Sequence, residues 1–389
     1  MPRFLSIACL AAVLISPAAI AQIGSQSSAD GDEATIAQTA AATMPVAYVY
    51  VSNTVNQIIG FSASPTGKLT AIPGSPFSSP FKGPSPQSMA VNGKYLFGGW
   101  TSNIYSYSIA ANGALKRVAS INAQKYNGAG LVEDLVLDHT GATLYDLMAD
   151  DVNNPYQAFR INQSNGQLTF IWMGGERRGN NTPLTFTGNN RLAYTATNFY
   201  LNPDVMGLQR NSNGTLTDIN INDPFPIAKP GDVYLSVFAV ADPTNHLAVA
   251  IYAEKGAPFG PQDGPELLAT YTADAAGNLS TTSTYKNMPG VAVSNVNRMR
   301  MSPSGKLLAV AGSAGLQVFH FNGASPITKY TGLLVSGPVS MAFWDNANHL
   351  YALGASKLYV FTVTPSSVSQ APGSPYAIAK PAALIVQPK

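Results

Sequence analysis

The sequence predicts an all-β fold: a seven-bladed β-propeller of four-stranded antiparallel blades, its ring closed by the C-terminal strand joining the N-terminal blade. Three observations predict it. An apolar segment ending in an aromatic residue or Leu recurs seven times, at 58–61, 104–107, 156–159, 205–208, 268–271, 316–319 and 358–361. A polar turn follows each one. In the first five units Gly67, Gly113, Gly166, Gly214 and Gly277 stand before a Leu two residues on, and the last two keep the register with Ser325 before Ile327 and Ser366 before Val368. The first unit also lacks an innermost strand, and a matching strand appears at 383–386 after Pro381. β-patterned repeats of about fifty residues mean a propeller or an array.

Each unit reads as four strands, A to D from the axis outward. The second unit is the clearest: A at 88–91, an Asn92-Gly93 hairpin turn, B at 95–98, C at 104–109 and D at 115–120. Asn and Gly both tolerate positive φ, so this dipeptide is a strong hairpin signal. The A-to-B turn recurs as Asp138-His139-Thr140-Gly141, Gly188-Asn189-Asn190, Asp242-Pro243-Thr244-Asn245, Ser302-Pro303-Ser304-Gly305 and Asp345-Asn346-Ala347-Asn348. These residues turn the chain through side-chain hydrogen bonds and a permissive backbone. The first unit begins at strand B, 47–51, so the simplest ring pairs it with 383–386, hiding edges that an open array would expose. Two matching phrases, Ile72-Pro73-Gly74-Ser75-Pro76-Phe77 and Ala371-Pro372-Gly373-Ser374-Pro375-Tyr376, mark units one and seven as repeats of one kind.

Of the 389 residues 46% are apolar and only 11% charged, and the net charge is +2. No basic stripe appears, so capture of nucleic acid is not expected. The N-terminus reads as a Sec-type bacterial signal peptide, residues 1–21: Arg3, an apolar stretch over 4–15 too short to span a membrane, Pro17, and Ala19-Ile20-Ala21 before Gln22. Residues 22–45 read as a flexible low-complexity leader, and 46–389 as the propeller. The one cysteine, Cys9, lies in the signal. The mature chain then has neither disulfide nor thiolate site, and no membrane span. Export without disulfides suits a bacterial periplasm or exterior. No cofactor or metal is expected: His139, His246 and His349 fall in A-to-B turns, His320 alternates within a strand, and no two have metal-ligand spacing.

The face of a propeller that carries the B-to-C and D-to-A connections is where a ligand would meet the channel mouth. Its B-to-C loops are short except at 149–155, 197–204 and 253–266, in units three to five. Long loops usually serve binding or vary freely. Trp100, Tyr156, Trp172, Arg177, Tyr200, Asp232 and Glu254 are the candidate ligand-binding residues, aromatic faces beside charges that suit a sugar, a peptide or another small molecule. At the starts of inner strands, Glu133, Asp134 and Arg298 are the candidate catalytic set, where a carboxylate pair and an arginine could position an anionic substrate or do acid–base work.

The phrases Ala47-Tyr48-Val49-Tyr50-Val51-Ser52-Asn53 and Met301-Ser302-Pro303-Ser304-Gly305-Lys306-Leu307-Leu308-Ala309-Val310 resemble the repeat of the seven-bladed lactonase-like propellers. That family includes the propeller 6-phosphogluconolactonases and the YVTN-repeat surface proteins, and the resemblance runs from about Val46 to the end. It implies a propeller fold and, in the active members, lactone hydrolysis. Those members carry Pro-Arg-His at the start of one inner strand and Asn-Glu at the end of the next strand. The corresponding residues here are Asn297-Arg298-Met299, followed by Ala311-Gly312. Arg298 is kept; the histidine and the glutamate are not. The expected function is an exported binding or scaffold propeller, acting as a monomer on a small molecule, glycan, peptide or envelope protein. The alternatives are a lactonase-type hydrolase or isomerase at the channel mouth and a structural repeat protein of the envelope.

Overall fold

The computed structural model describes residues 44–389 except 84, 86, 128–129, 150–154, 176–180, 200–201 and 257–259. Residues 1–43, read above as a signal and most of a leader, therefore lie outside the described residues, as do Arg177 and Tyr200. The chain from Met44 to Lys389 forms one compact unit. Its strands make seven antiparallel sheets; in six of them the chain runs outward from an inner strand, and the first takes its inner strand from the C-terminal end. The inner strands of blades 1 to 7 are Pro381–Pro388, Gln87–Val91, Leu131–Leu137, Thr185–Phe186, Asp232–Ala241, Val296–Met301 and Val339–Trp344. The only helical segment among the described residues is the single turn Gln124–Asn127. No helix among them is long and apolar enough to cross a membrane.

The ring closes as the strand pattern predicts. Pro381–Pro388 pairs antiparallel with Ala47–Asn53, from Ala47 opposite Pro388 to Asn53 opposite Pro381. The two matching phrases do the same job on either side of this seam. Ser75 Oγ accepts the Gly60 amide at 2.9 Å and Ser374 Oγ accepts the Val360 amide at 2.8 Å. Beyond each phrase a short segment returns to the third strand, at Phe77–Lys82 and at Tyr376–Ala377. The Tyr376 hydroxyl then crosses from blade 7 to accept the Leu69 amide of blade 1 at 2.8 Å.

The core lies between blades rather than on the axis. Phe97 of blade 2 and Val132, Leu135 and Phe159 of blade 3 share one cluster. The repeated turn glycines are explained by this packing. Tyr50, Tyr145 and Tyr194 each donate a hydroxyl hydrogen bond to the carbonyl of the next blade's turn glycine, Gly113, Gly214 and Gly277, at 2.7, 2.8 and 2.9 Å. Burial raises all three phenol pKa values above their ordinary range. Gly214 has φ +88°, and a Cβ there would sit 2.6 Å from Thr143 Oγ1 of the preceding blade. Only glycine meets both demands.

The A-to-B turns close as expected. Asp138, Asp242 and Asp345 accept backbone amides of their own turns. Asp138 also takes Arg210 of blade 4 through Nε at 2.8 Å and Nη2 at 2.5 Å, a forked, buried clamp between blades. Asp345 accepts His349 Nδ1 and the Tyr351 hydroxyl, both at 2.8 Å.

One feature of the inner strands is absent from the sequence pattern. The pairing of A with B slips by one residue near the upper end of blades 1, 3, 5, 6 and 7, leaving Ala382, Glu133, Val237, Asn297 and Ser340 as the extra residues. A bulge breaks the alternation of side chains and re-aims those beside it. The bulges ring the channel mouth.

Candidate functional site at the channel mouth

Arg298 follows the bulge of blade 6, and Asp134 follows the bulge of blade 3. Arg298 Nη1 donates to Asp134 Oδ2 across the axis, and both side chains are largely buried, at 14% and 7% exposed. Asp134 also accepts Ser88 Oγ of blade 2 at 3.0 Å, while that oxygen accepts the Leu135 amide at 2.8 Å. The Arg298 guanidinium lies 5.9 Å from the Phe238 ring centre of blade 5. Blades 2, 3, 5 and 6 thus meet on one ion pair that crosses the channel. Glu133, on the bulge itself, is exposed at the mouth. The candidate catalytic residues therefore come together.

Their surroundings are poor in acid–base groups. Met299, where the lactonase-like pattern has histidine, is buried in the core shared by blades 5 and 6. Ala311 pairs with Arg298 and Gly312 with Val296. The nearest unusual carboxyl is Asp146, fully buried on the second strand of blade 3 and opposite Leu135. Burial first, then the nearby Asp134, raises its pKa well above the ordinary carboxyl range, with the Glu133 backbone amide offsetting part. Glu266 is raised by burial too, although both its oxygens accept the Val296 amide at 3.0 Å. That contact fixes the upper end of the strand that carries Arg298.

Two hairpins stand above the ring on one side of the mouth. Leu192–Phe199 and Asn202–Arg210 of blade 4 stay paired up to Phe199 opposite Asn202. Asp232–Ala241 and His246–Lys255 of blade 5 stay paired up to Asp232 opposite Lys255. Much of what reads in sequence as loop at 197–204 is thus strand, and the first residues of 253–266, through Lys255, are strand too. The remaining chain folds back, Glu254 bridging to Gln262 and the Asp263 amide donating to the Ala253 carbonyl at 2.8 Å.

Asp232 and Glu254 stand at the top of this wall, both half-buried, near an exposed Lys229–Asp263 ion pair of 2.8 Å. The other aromatic candidates lie elsewhere. Tyr156 is buried between blades 3 and 4; its hydroxyl lies 2.7 Å from the Thr182 carbonyl and 2.8 Å from Thr195 Oγ1. It ties blades together and does not face the mouth, contrary to the expectation that it grips a ligand. Trp172 sits on the outer strand of blade 3, opposite Ala158, and packs against the core between blades 3 and 4. Trp100 ends the second strand of blade 2 opposite Gln87, half-buried against the core of blades 1 and 2.

A second arginine of this inner strand lies one step below the ion pair. Arg300, next but one after Arg298 on the same strand, lines an axial cavity of about 270 Å³. Its guanidinium stacks 4.6 Å from the Phe343 ring centre of blade 7. Burial, and then the charge of Arg298, lower its pKa to about 10, still well above neutrality. Among the described residues no group of three or more His, Cys, Asp or Glu could hold a metal ion.

No protein-family model matches this chain. No curated protein matches it either. Solved structures do. A protein from Lactobacillus plantarum is 13% identical with a TM-score of 0.63, covering 88% of this chain and 99% of its own. A putative 6-phosphogluconolactonase from Bacteroides uniformis is 12% identical with a TM-score of 0.46, covering 88% and 100%. The periplasmic gluconolactonase of Pseudomonas aeruginosa is 18% identical with a TM-score of 0.47, covering 85% and 80%. At these identities the likeness is one of fold, a seven-bladed β-propeller whose solved neighbours include lactonase-like proteins; chemistry has to be argued from the site.

Proposed function

We propose that this protein is an exported, ligand-binding propeller that takes a polar small molecule, glycan or peptide between the channel mouth and the raised hairpins of blades 4 and 5. The observation that carries this reading is the ion pair between Arg298 and Asp134. An arginine already neutralised across the channel is poorly placed to receive an anionic lactone, and Met299 and Gly312 supply no proton donor or acceptor beside it. Asp232, Glu254 and the neighbouring charges of the wall offer polar recognition without a paired acid and base. Export rests on the signal pattern at residues 1–21; intact-mass analysis of secreted protein should find Gln22 at its start.

Lactone hydrolysis is the second reading, and one observation favours it: exposed Glu133 stands beside the Arg298–Asp134 pair and could act as a base. Thermal-shift screening of purified protein against lactones, sugars and cell-wall fragments, with turnover measured on every lactone, separates the two. Binding should appear with a glycan or peptide, weaken in Asp232→Ala and Glu254→Ala, and bring no hydrolysis. Lactone turnover that disappears in Arg298→Ala would replace the binding reading with the hydrolase.

A further inference from the structure

The ion pair between Arg298 and Asp134 crosses the channel. Ser88, Asp134 and Arg298 lie at this level on their strands. The next residues down, Met89 to Val91, Leu135 to Leu137 and Arg300, line the cavity of about 270 Å³ below. The lower end of that cavity reaches His139 in the turn that follows Leu137. This is the face opposite the mouth discussed above.

Two features of the cavity bear on its contents. Its lining mixes apolar side chains, Met89, Leu135, Leu184, Phe186, Phe343 and Ile385 among them, with the polar groups of His139, Thr185 and Arg300. It also holds a guanidinium with no ion-pair partner among the described residues. Arg298 and Arg300 share one carboxylate, Asp134, and that carboxylate is bonded to Arg298. One positive charge is left over in this part of the channel. Burying an unpaired charge is costly, and a stacked aromatic such as Phe343 offsets only part of it.

We propose that the lower half of the axial channel is a binding site for a small organic carboxylate with an apolar body, its carboxylate paired with Arg300. The single surplus charge calls for a monoanion; a phosphate dianion would leave excess negative charge close to Asp134. A planar guanidinium offers a carboxylate two parallel hydrogen bonds. The walls take the hydrocarbon, and the volume suits a body of roughly six to eight carbons. The site is reached from the face opposite the raised hairpins, so it does not depend on the function proposed for the mouth.

Isothermal titration of the purified protein with hexanoate and phenylacetate tests this. Saturable binding is expected, at least tenfold tighter than for hexanamide, acetate or inorganic phosphate. Arg300→Met should lose that preference, leaving carboxylate and amide equal, while Arg300→Lys should keep a weakened preference for the carboxylate. Because the ligand series is read on the unaltered protein, misfolding of a variant leaves the test intact. Equal affinity for hexanoate and hexanamide, no binding of either carboxylate at millimolar concentration, or unchanged carboxylate binding in folded Arg300→Met would each overturn the proposal. Phosphate binding tighter than hexanoate would overturn the assignment to a carboxylate.

Discussion

Arg298 on the inner strand of blade 6 reaches across the propeller axis to Asp134 on the inner strand of blade 3. The two are 164 residues apart in sequence, and Ser88 and Phe238 from two further blades complete their setting. Removing one partner leaves the other charged and enclosed, so Asp134→Leu or Arg298→Met alone should lower stability by about 3–5 kcal/mol. The double variant Arg298→Met with Asp134→Leu should recover much of that loss, because the pair's own desolvation penalty goes with it. Urea denaturation of the four proteins in this cycle measures the coupling. Simple additivity of the single losses would mean that the two side chains do not interact in solution.

Asp146 makes the fold sensitive to pH in an unusual direction. Its carboxyl is held protonated by burial and by Asp134, so the folded state binds a proton that the unfolded chain has released. The stability this contributes is complete below about pH 4, near the unfolded pKa, and falls as pH rises toward the raised native value. Asp146→Asn keeps the shape and cannot ionise. It should match the parent protein at pH 4 and exceed it at pH 8, by about 1.4 kcal/mol for each unit separating the two pKa values. Thermal unfolding of both proteins across that range reads the difference. Parallel curves would show that Asp146 is ionised in the native protein.

The turn glycines give a sharper local test. Gly214 combines φ +88° with a Cβ position 2.6 Å from Thr143 Oγ1, and its carbonyl accepts the Tyr145 hydroxyl. Gly214→Ala should cost about 1–2 kcal/mol from the backbone alone, and more from the clash. Tyr145→Phe removes only the hydrogen bond between blades 3 and 4 and should cost about 1 kcal/mol. Combining the two should give less than their sum, since they weaken one contact. Chemical denaturation reads all three values.

These glycines show which parts of the protein were readable in its sequence. Gly113, Gly214 and Asn92-Gly93 announce their turns because few residues tolerate that backbone, and the turns then fix the repeat and its closure. The bulges at Glu133 and Asn297 add one residue without disturbing the apolar pattern, so only the structure shows that Arg298 enters the channel. Tyr156 looked like a ligand platform because an aromatic residue beside a long loop gives no sign that its hydroxyl is bound to Thr195. The tall hairpins of blades 4 and 5 read as loops because Thr197, Asn198 and Asp232 are polar and interrupt the apolar pattern that marks the strands.

The seam offers a test of the whole ring. Ala47–Asn53 is buried along its full length, and Pro381–Pro388 covers its inner edge. Leu384 and Val386 belong to the cluster that also contains Val49, Tyr50 and Met341, joining blades 7, 1 and 2. Removing residues 383–389 would expose that edge, with its unpaired amides and carbonyls, beside the apolar side chains it now covers. An exposed strand edge of this kind recruits other chains. The truncated protein should therefore unfold at much lower temperature or aggregate on expression, as light scattering and calorimetry would record. A synthetic peptide of residues 381–389 added in excess should restore part of the lost stability by supplying the missing strand in trans, provided the rest of the ring folds. Unchanged melting of the truncated chain would show that the ring does not depend on this closure.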